Sequence, residues 1–388
     1  MPIARSSKAL CIMLCFASLV GITPSFSHSY TSRGKSLLKH ATLRRAFHTL
    51  QVPGNKPLVK PKPIIPTALQ IYERSLEADD NYSYQGRQVT TSWDNGRALA
   101  VEVSHLAPED HRIDYLSPDW IRGQIFITDG KQQWVLDSLH RNLFHRELSR
   151  SEDPTTNTAA GFQFLKSNYI LSFLQSTRTF ADRKAFVLSI SRMSSHRLAR
   201  RLWVDAATNI VLKREVYSDS GKLLVTVAFV EINFHPKFQP GYFKLSISSG
   251  KGIKVTEQPR DADINIPLDS VPVQLGHLAF ALPSLEGYHL ISAGLVPSST
   301  EKKILHLRYF DGLNLLSLFE QPRIHTKQPT KVPAKMRPVR VGQYSGHISH
   351  DSHLVTLNWD TRGLNLTLMG ELPEAEMQRF ADIVDSGH

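Results

Sequence analysis

The sequence predicts an α+β fold with two domains: an antiparallel curved half-barrel sheet with helices covering its mouth, then a smaller C-terminal α+β domain. Three observations support this. The length of 388 residues is enough for about two domains. Strand-like segments with period-two alternation follow one another through short turns, which favours antiparallel pairing. A segment rich in Pro and Gly separates two such groups of strands.

The composition is that of a globular protein, with 41% hydrophobic and 21% charged residues. The net charge of +11 is concentrated at the start of the chain, because residues 1–72 contain ten basic residues and no acidic one before Glu73. The remainder is therefore close to neutral. Since DNA and RNA binding requires clustered Lys and Arg, we expect no nucleic-acid partner.

Residues 1–27 have the features of a cleavable signal peptide. Arg5 and Lys8 precede the apolar stretch 9–22, and the small residues Ser25 and Ser27 flank Phe26 at the exit. An uncleaved anchor is the alternative. Cys11 and Cys15 both lie in this segment, so the mature chain would contain no disulfide, thiol nucleophile or Cys-ligated zinc.

Residues 28–65 are predicted to be a basic, Pro-rich linker. Within it, Leu43, Ala46, Phe47 and Leu50 recur at helical spacing among basic residues. This pattern allows weak contact of residues 33–50 with a membrane surface, but a solvated tether is the favoured explanation, because isolated helices this short are only marginally stable.

The larger domain is assigned to residues 66–235. It begins with a helix over residues 67–80, and alternation at Leu99, Val101 and Val103 predicts a strand. Asp129-Gly130 predicts a hairpin turn. The remaining expected elements are strands 121–128, 132–139 and 142–148, a helix over 155–176, and strands 184–193, 199–205, 210–218 and 222–233.

Residues 236–265 are predicted to be the junction and residues 266–388 the smaller domain. Asp311-Gly312 predicts a hairpin turn. After Pro373, the residues Met377, Phe380, Ala381 and Val384 form the apolar face of a final helix. The expected strands are 278–282, 288–295, 304–310, 313–319, 340–348, 353–360 and 363–369, and 321–338 is a basic, Pro-rich insertion.

The motifs of common enzymes are missing from the sequence. It contains no phosphate-binding P-loop, HExxH, GxSxG or dinucleotide-binding glycine pattern, so we expect neither catalysis nor a cofactor. His347, His350 and His353 lie near Asp351, but this spacing is more typical of a solvated turn between strands than of a metal site. An uncharacterised exported enzyme remains an alternative.

Several segments in order resemble the MucB/RseB family of periplasmic regulators of an envelope-stress sigma factor. They are the first strand at 82–86, the strand Leu99–His105, the turn 127–130, the hairpin Leu202–Asp205 to Asn209–Glu215, the pair 307–313 and 316–320, and the ending 368–373. The first domain is also similar to the lipoprotein carriers LolA and LolB. The resemblance covers about residues 66–388, whereas the tracts 28–65 and 321–338 depart from the family pattern.

The resemblance implies a periplasmic protein that binds the periplasmic part of a membrane anti-sigma factor and senses lipid-like ligands. A lipid or lipoprotein carrier of the LolA type is the alternative. Aromatic residues in or beside the strands of the larger domain are candidates for lining a lipid cavity: Trp93, Trp120, Phe126, Trp134, Phe144, Trp203 and Phe229. Arg308, Tyr309, Asp311 and Arg323 are candidates for a partner-binding face.

Overall fold

The fold is given by a computed structural model of the chain. It describes residues 66–93, 96–148, 159–245, 252–257, 264–266, 284–296, 304–323, 336–351 and 354–387. The predicted signal peptide 1–27, the linker 28–65, the strand 278–282 and residues 324–335 of the insertion lie outside these ranges. Among the described residues, no helix has the length and apolar character needed to cross a bilayer.

Twelve strands form the larger sheet, in the order β12-β6-β5-β4-β3-β2-β1-β11-β10-β9-β8-β7. All neighbours are antiparallel except β12 and β6, which are parallel. The strands are β1 (Tyr84–Ser92), β2 (Arg97–Leu106), β3 (Asp110–Ser117), β4 (Ile125–Thr128), β5 (Gln132–Asp137), β6 (Asn142–Glu147), β7 (Tyr169–Phe180), β8 (Arg183–Arg192), β9 (Leu198–Asp205), β10 (Val211–Tyr217), β11 (Leu223–Asn233) and β12 (Lys254–Glu257).

Two helices cover the β7–β9 part of this sheet. Helix α1 (Ala68–Leu76) begins at Thr67, whose hydroxyl accepts from the Gln70 backbone while the Gln70 side chain accepts from the Thr67 backbone. Helix α2 (Ala159–Asn168) leads directly into β7. Ile71 of α1 and Leu165 of α2 are buried against apolar residues of β7–β9.

The predicted helix over residues 155–176 is wrong in its second half. Residues 169–180 form β7, a twelve-residue strand that pairs with β8 from Tyr169↔Arg192 to Phe180↔Arg183. Pairing with β8 satisfies the backbone groups, and alternate apolar residues of this segment still reach the core. The strand predicted at 121–128 is also shorter, because Ile121 and Arg122 belong to a turn that closes on the Pro118 carbonyl.

Eight antiparallel strands form the smaller sheet, in the order β13-β14-β15-β16-β20-β19-β18-β17. They are β13 (Ile264–Ile266), β14 (His289–Val296), β15 (Ile304–Phe310), β16 (Leu315–Pro322), β17 (Arg337–Val341), β18 (Tyr344–Asp351), β19 (Leu354–Thr361) and β20 (Leu364–Gly370). The strand predicted at 340–348 is interrupted: Gly342, with a φ of 53°, turns the chain between β17 and β18.

Helix α3 (Glu374–Gly387) closes the smaller domain. The four residues predicted for its apolar face, Met377, Phe380, Ala381 and Val384, are all fully buried against the sheet. The two sheets and their helices confirm the predicted fold class of an open curved antiparallel sheet plus a smaller α+β domain. Within the segment 236–265, β12 joins the larger sheet and β13 the smaller one.

Candidate functional site at the junction of the two domains

The β15–β16 turn of the smaller domain inserts into the larger domain. Asp311 in this turn is 2% exposed. One carboxylate oxygen accepts from the backbone of Leu313 (2.8 Å) and Asn314 (2.6 Å), which is the usual self-capping of an aspartate turn. The other accepts from the Tyr169 hydroxyl (2.5 Å) and the Asn314 amide (3.0 Å). A buried carboxylate therefore joins the two domains.

The backbones of the two domains also meet at this turn. The Asn168 side-chain amide donates to the carbonyl oxygens of Asp311 and Gly287, each at 2.8 Å. Gly312, with a φ of 95°, lies against the backbone of Leu165 so closely that a Cβ would overlap it. Only glycine fits both this φ and this approach.

Three arginines of the larger sheet face the smaller domain, one from each of β8, β9 and β10. Arg200 donates to the Asn314 side-chain oxygen (2.7 Å), and Arg192 pairs with Glu376 (3.2 Å) as well as with Asp219 (2.7 Å). The third, Arg214, interacts electrostatically with Glu371.

Burial shifts the ionisation of the groups around these arginines. Burial lowers the pKa of Arg214, and Arg200 lowers it further. Burial has the opposite effect on a carboxyl group and raises the pKa of Glu376, a shift that Arg192 opposes. Burial also raises the pKa of Tyr169 well above its ordinary value, so its hydroxyl remains a donor to Asp311 across the physiological range.

A cleft of about 210 Å³ opens beside these contacts, between the two domains. Its walls are mostly apolar, and two carboxylates and one imidazole stand among them. The lining residues are Ser92, Val216, Leu224 and Val225 from the larger domain, and His350, Val355, Glu371, Leu372, Pro373 and Glu374 from the smaller one. Such a cleft can accept an apolar side chain and, beside it, a cationic one.

Glu374 fixes the polar side of the cleft. It forms an ion pair with Arg337 and a hydrogen bond with His350, whose Nε2 lies 3.2 Å from a Glu374 oxygen. The hydrogen bond from Arg337 is the largest cause that lowers the pKa of Glu374, so this carboxylate stays charged at neutral pH.

The seven aromatic residues predicted to line a lipid cavity lie in different parts of the larger domain. Phe126, Phe144 and Phe229 belong to one apolar cluster of the larger domain, whereas Trp203 packs in another. Trp134 stacks on His145. Trp93 and Trp120 lie on turns and are 55% and 59% exposed. Successive residues of a strand point to opposite faces, so sequence proximity did not place these rings together.

The four residues predicted for a partner face have different positions. Tyr309 is 1% exposed and Asp311 belongs to the domain junction, so neither lies on an accessible surface in this arrangement. Burial raises the pKa of Tyr309. Arg308 is half-buried and donates to Ser292 (2.7 Å), while Arg323 is exposed and lies 3.4 Å from Asp360. Of these four residues, Arg323 is the exposed one.

Sequence analysis recognised the Asp311-Gly312 turn but missed what it contacts. Asn168, Tyr169 and the arginines at 192, 200 and 214 carried no motif, and Tyr169 lies 142 positions from Asp311. The available signal was the basic residues within β8–β10, which include the pairs Arg200-Arg201 and Lys213-Arg214. His347 and His350 lie in β18, and His353 lies outside the described residues. No group of three or more metal-ligating side chains occurs in the described part of the chain.

Fold and junction together define a two-domain protein built from extended antiparallel sheets that are joined through a buried polar contact and an adjacent cleft. The larger domain has a recognisable family. Residues 67–247 match the sequence model of the MucB/RseB N-terminal domain.

The "Sigma factor AlgU regulatory protein MucB" of Pseudomonas aeruginosa is 29% identical to the chain over 164 residues. This match covers 41% of the chain and 48% of that relative, so the chain spans about half of the relative's length.

Two solved structures share the fold at low identity. The crystal structure of MucB in complex with MucA(peri) aligns with 81% of this chain and 97% of that one, at 20% identity and a TM-score of 0.51. The Pseudomonas aeruginosa MucA/MucB complex aligns with 81% of this chain and 96% of that one, at 19% identity and the same TM-score. Residues 67–247 are thereby identified as a MucB/RseB N-terminal domain.

Proposed function

We propose that the chain is a periplasmic regulatory protein that binds the periplasmic part of a membrane anti-sigma factor and thereby controls an envelope-stress sigma factor. The observation that carries this proposal is the MucB/RseB match over residues 67–247 on a fold shared with MucB in its complex with MucA(peri). The predicted export signal supports the periplasmic location. Binding a partner protein requires no catalytic residue, so the proposal is compatible with the expectation that the chain is not an enzyme.

The domain junction is the proposed partner site. The cleft offers the apolar side chains of Leu224, Val225 and Val355 beside the charged Glu374. A peptide segment with an apolar side chain next to a Lys or Arg would match these groups. Both domains contribute to the walls, so any change in their relative position would change the affinity for the partner.

A lipid-like ligand that releases the partner is the second part of the proposal. Phe144, Ile232 and Phe234 are only partly buried and pack against the larger domain's apolar cluster, into which an acyl chain could insert. Release requires that the ligand binds more tightly to the partner-free state. A simple carrier would need only the larger domain, whereas the buried Tyr169–Asp311 contact joins it to a second one.

Two measurements test the partner part of the proposal. Deletion of the gene should raise transcription from promoters of the extracytoplasmic sigma factor. Expression of the wild-type chain should restore the repression. The variant Leu224→Glu places a charge in the apolar wall of the cleft and should neither restore repression nor co-purify with a membrane protein from envelope extract.

Leu174→Glu is the matched control, because Leu174 is an exposed leucine of β7 and does not line the cleft. It should behave as the wild type. Unchanged transcription after deletion would refute the regulatory role, and equal behaviour of the two folded variants would refute the cleft as the partner site.

A further inference from the structure

Three turns lie side by side at one end of the larger sheet. They are the β1–β2 turn, of which Trp93 and Gly96 are described, the β3–β4 turn (118–124) and the β5–β6 turn (138–141). The antiparallel register places them together: Ser92 pairs with Arg97, and Asp137 pairs with Asn142. We call these three turns, together with Leu116, the three-turn surface. Leu116 is the penultimate residue of β3 and precedes the second turn.

Each of the three turns exposes a large apolar side chain. Trp93 in the first turn, Trp120 in the second and Leu139 in the third are 55%, 59% and 54% exposed, and Leu116 adds a fourth exposed side chain. Soluble proteins scatter single exposed apolar residues, but a series on adjacent turns indicates an interaction site.

The second and third turns also touch each other. The Ser138 hydroxyl oxygen lies 3.0 Å from the position that a Cβ on Gly123 would take. Neighbouring strands are about 4.8 Å apart, so turns two strands apart lie about 10 Å from each other and the three tips span about 20 Å.

An exposed arginine accompanies each apolar side chain: Arg97, Arg122 and Arg141. The exposed Lys254 adds a fourth cation, since its backbone donates to the Arg141 carbonyl (2.8 Å). The acidic residues are fewer: Asp119 pairs with Arg122 (2.7 Å), and Asp137, just before the third turn, bonds to His140 Nδ1 (2.7 Å). Cations therefore exceed acids on this surface.

We propose that the three-turn surface docks the chain on an anionic phospholipid headgroup layer. Tryptophan combines a large apolar ring with a polar NH and favours the boundary between acyl chains and headgroups. Arginine beside it pairs with phosphate. A lipid surface meets several separate tips at once, whereas a globular partner would need a matching concave face. The inference does not depend on the proposed anti-sigma partner.

Vesicle sedimentation tests the proposal with the chain from residue 28 onward. Vesicles of phosphatidylglycerol mixed with phosphatidylcholine should bind the protein, and Leu139→Ser should weaken that binding about fivefold. Leu174→Ser, a leucine that is also 54% exposed but lies on β7, should leave it unchanged. Equal binding by these two variants would overturn the proposal.

The charges have a matched pair as well. Arg141→Glu should reduce binding at least fivefold, with a stronger effect at low salt. Arg87→Glu is the control, because Arg87 is exposed in the first half of β1, six residues before Trp93, and pairs with Glu231 (3.5 Å). Identical losses in both variants would show a nonspecific effect of net charge and would overturn the proposal.

Tryptophan fluorescence separates this surface from the basic N-terminal tract. Brominated phosphatidylglycerol should quench part of the emission of the five tryptophans, and replacing both Trp93 and Trp120 by phenylalanine should remove most of that part. Sedimentation without quenching of these two tryptophans would mean that the tract alone binds the vesicles, which would overturn the proposal. Binding to a protein in place of vesicles would do the same.

Discussion

Replacing Tyr169 by phenylalanine should loosen the junction of the two domains. The change removes only a hydroxyl, whose hydrogen bond to Asp311 is 2.5 Å long between residues that are 3% and 2% exposed. A buried hydrogen bond to a charged group contributes about 1.5–3 kcal/mol. The same hydroxyl also accepts from the Asn314 amide (3.1 Å), so we expect a loss of about 2 kcal/mol, or about a 30-fold increase in junction opening.

Hydrogen exchange under native conditions measures this opening. The Leu313 and Asn314 backbone amides donate to Asp311, so their exchange should accelerate about 30-fold in the variant. Amides in the core of the smaller sheet, such as that of Leu357, should change less, because local opening does not expose them.

The matched control is Tyr288→Phe. Tyr288 is also a buried tyrosine near Asp311, but its hydroxyl has no hydrogen-bond partner among the described residues. Removing it should be neutral or slightly stabilising, since no hydrogen bond is lost. A Tyr169→Phe effect below about 0.5 kcal/mol, or one equal to that of Tyr288→Phe, would refute the role of the Asp311 contact.

Three further changes test other contacts. Gly312→Ala should destabilise the junction by about 3 kcal/mol or more in urea unfolding, because a Cβ at this position overlaps the Leu165 backbone. The control Gly363→Ala lies in a turn of similar φ with open space around it, so it should cost only about 1–2 kcal/mol. Equal costs for the two variants would contradict the overlap at Gly312. Phe380→Ala should cost about 3–5 kcal/mol in thermal unfolding, since the ring is fully buried, and a cost under 1 kcal/mol would contradict that packing. Burial, together with His105, lowers the pKa of His111 to about 3. As the pH falls through about 6.5, His111 therefore binds a proton in the unfolded state but not in the folded state. Stability should therefore fall by about 2 kcal/mol from His111 alone as the pH drops from 6.5 to 5, and His111→Phe should reduce this fall; an unchanged pH dependence of the denaturant midpoint would contradict it.

Local sequence patterns predicted the elements whose own apolar residues recur with the period of a helix or a strand. The helical spacing from Met377 to Val384 predicted α3, and the alternation at Leu99, Val101 and Val103 predicted β2. Each of these segments carries its apolar face in its own sequence. The match of residues 67–247 to the family's sequence model confirms the resemblance to the MucB/RseB family. One of the motifs that carried this resemblance forms the β9–β10 hairpin.

The elements that depend on distant partners could not be predicted. Residues 169–176 follow α2 with a pattern that allows a helix, and only the β8 partner makes them a strand. The junction contacts join residues more than 100 positions apart, such as Arg200 and Asn314. The positions of the aromatic residues depended on which strand face or turn each one occupies, as Trp120 on its turn and Trp203 in its cluster show.

Photo-crosslinking in living cells tests most directly the central claim that the chain acts by binding a membrane protein at its domain junction. A photoreactive amino acid at position 224, in the wall of the cleft, should form an adduct with the periplasmic part of an anti-sigma factor. The same amino acid at position 174 should not. Adducts of equal yield at both positions, or none with a membrane protein at position 224, would contradict the account.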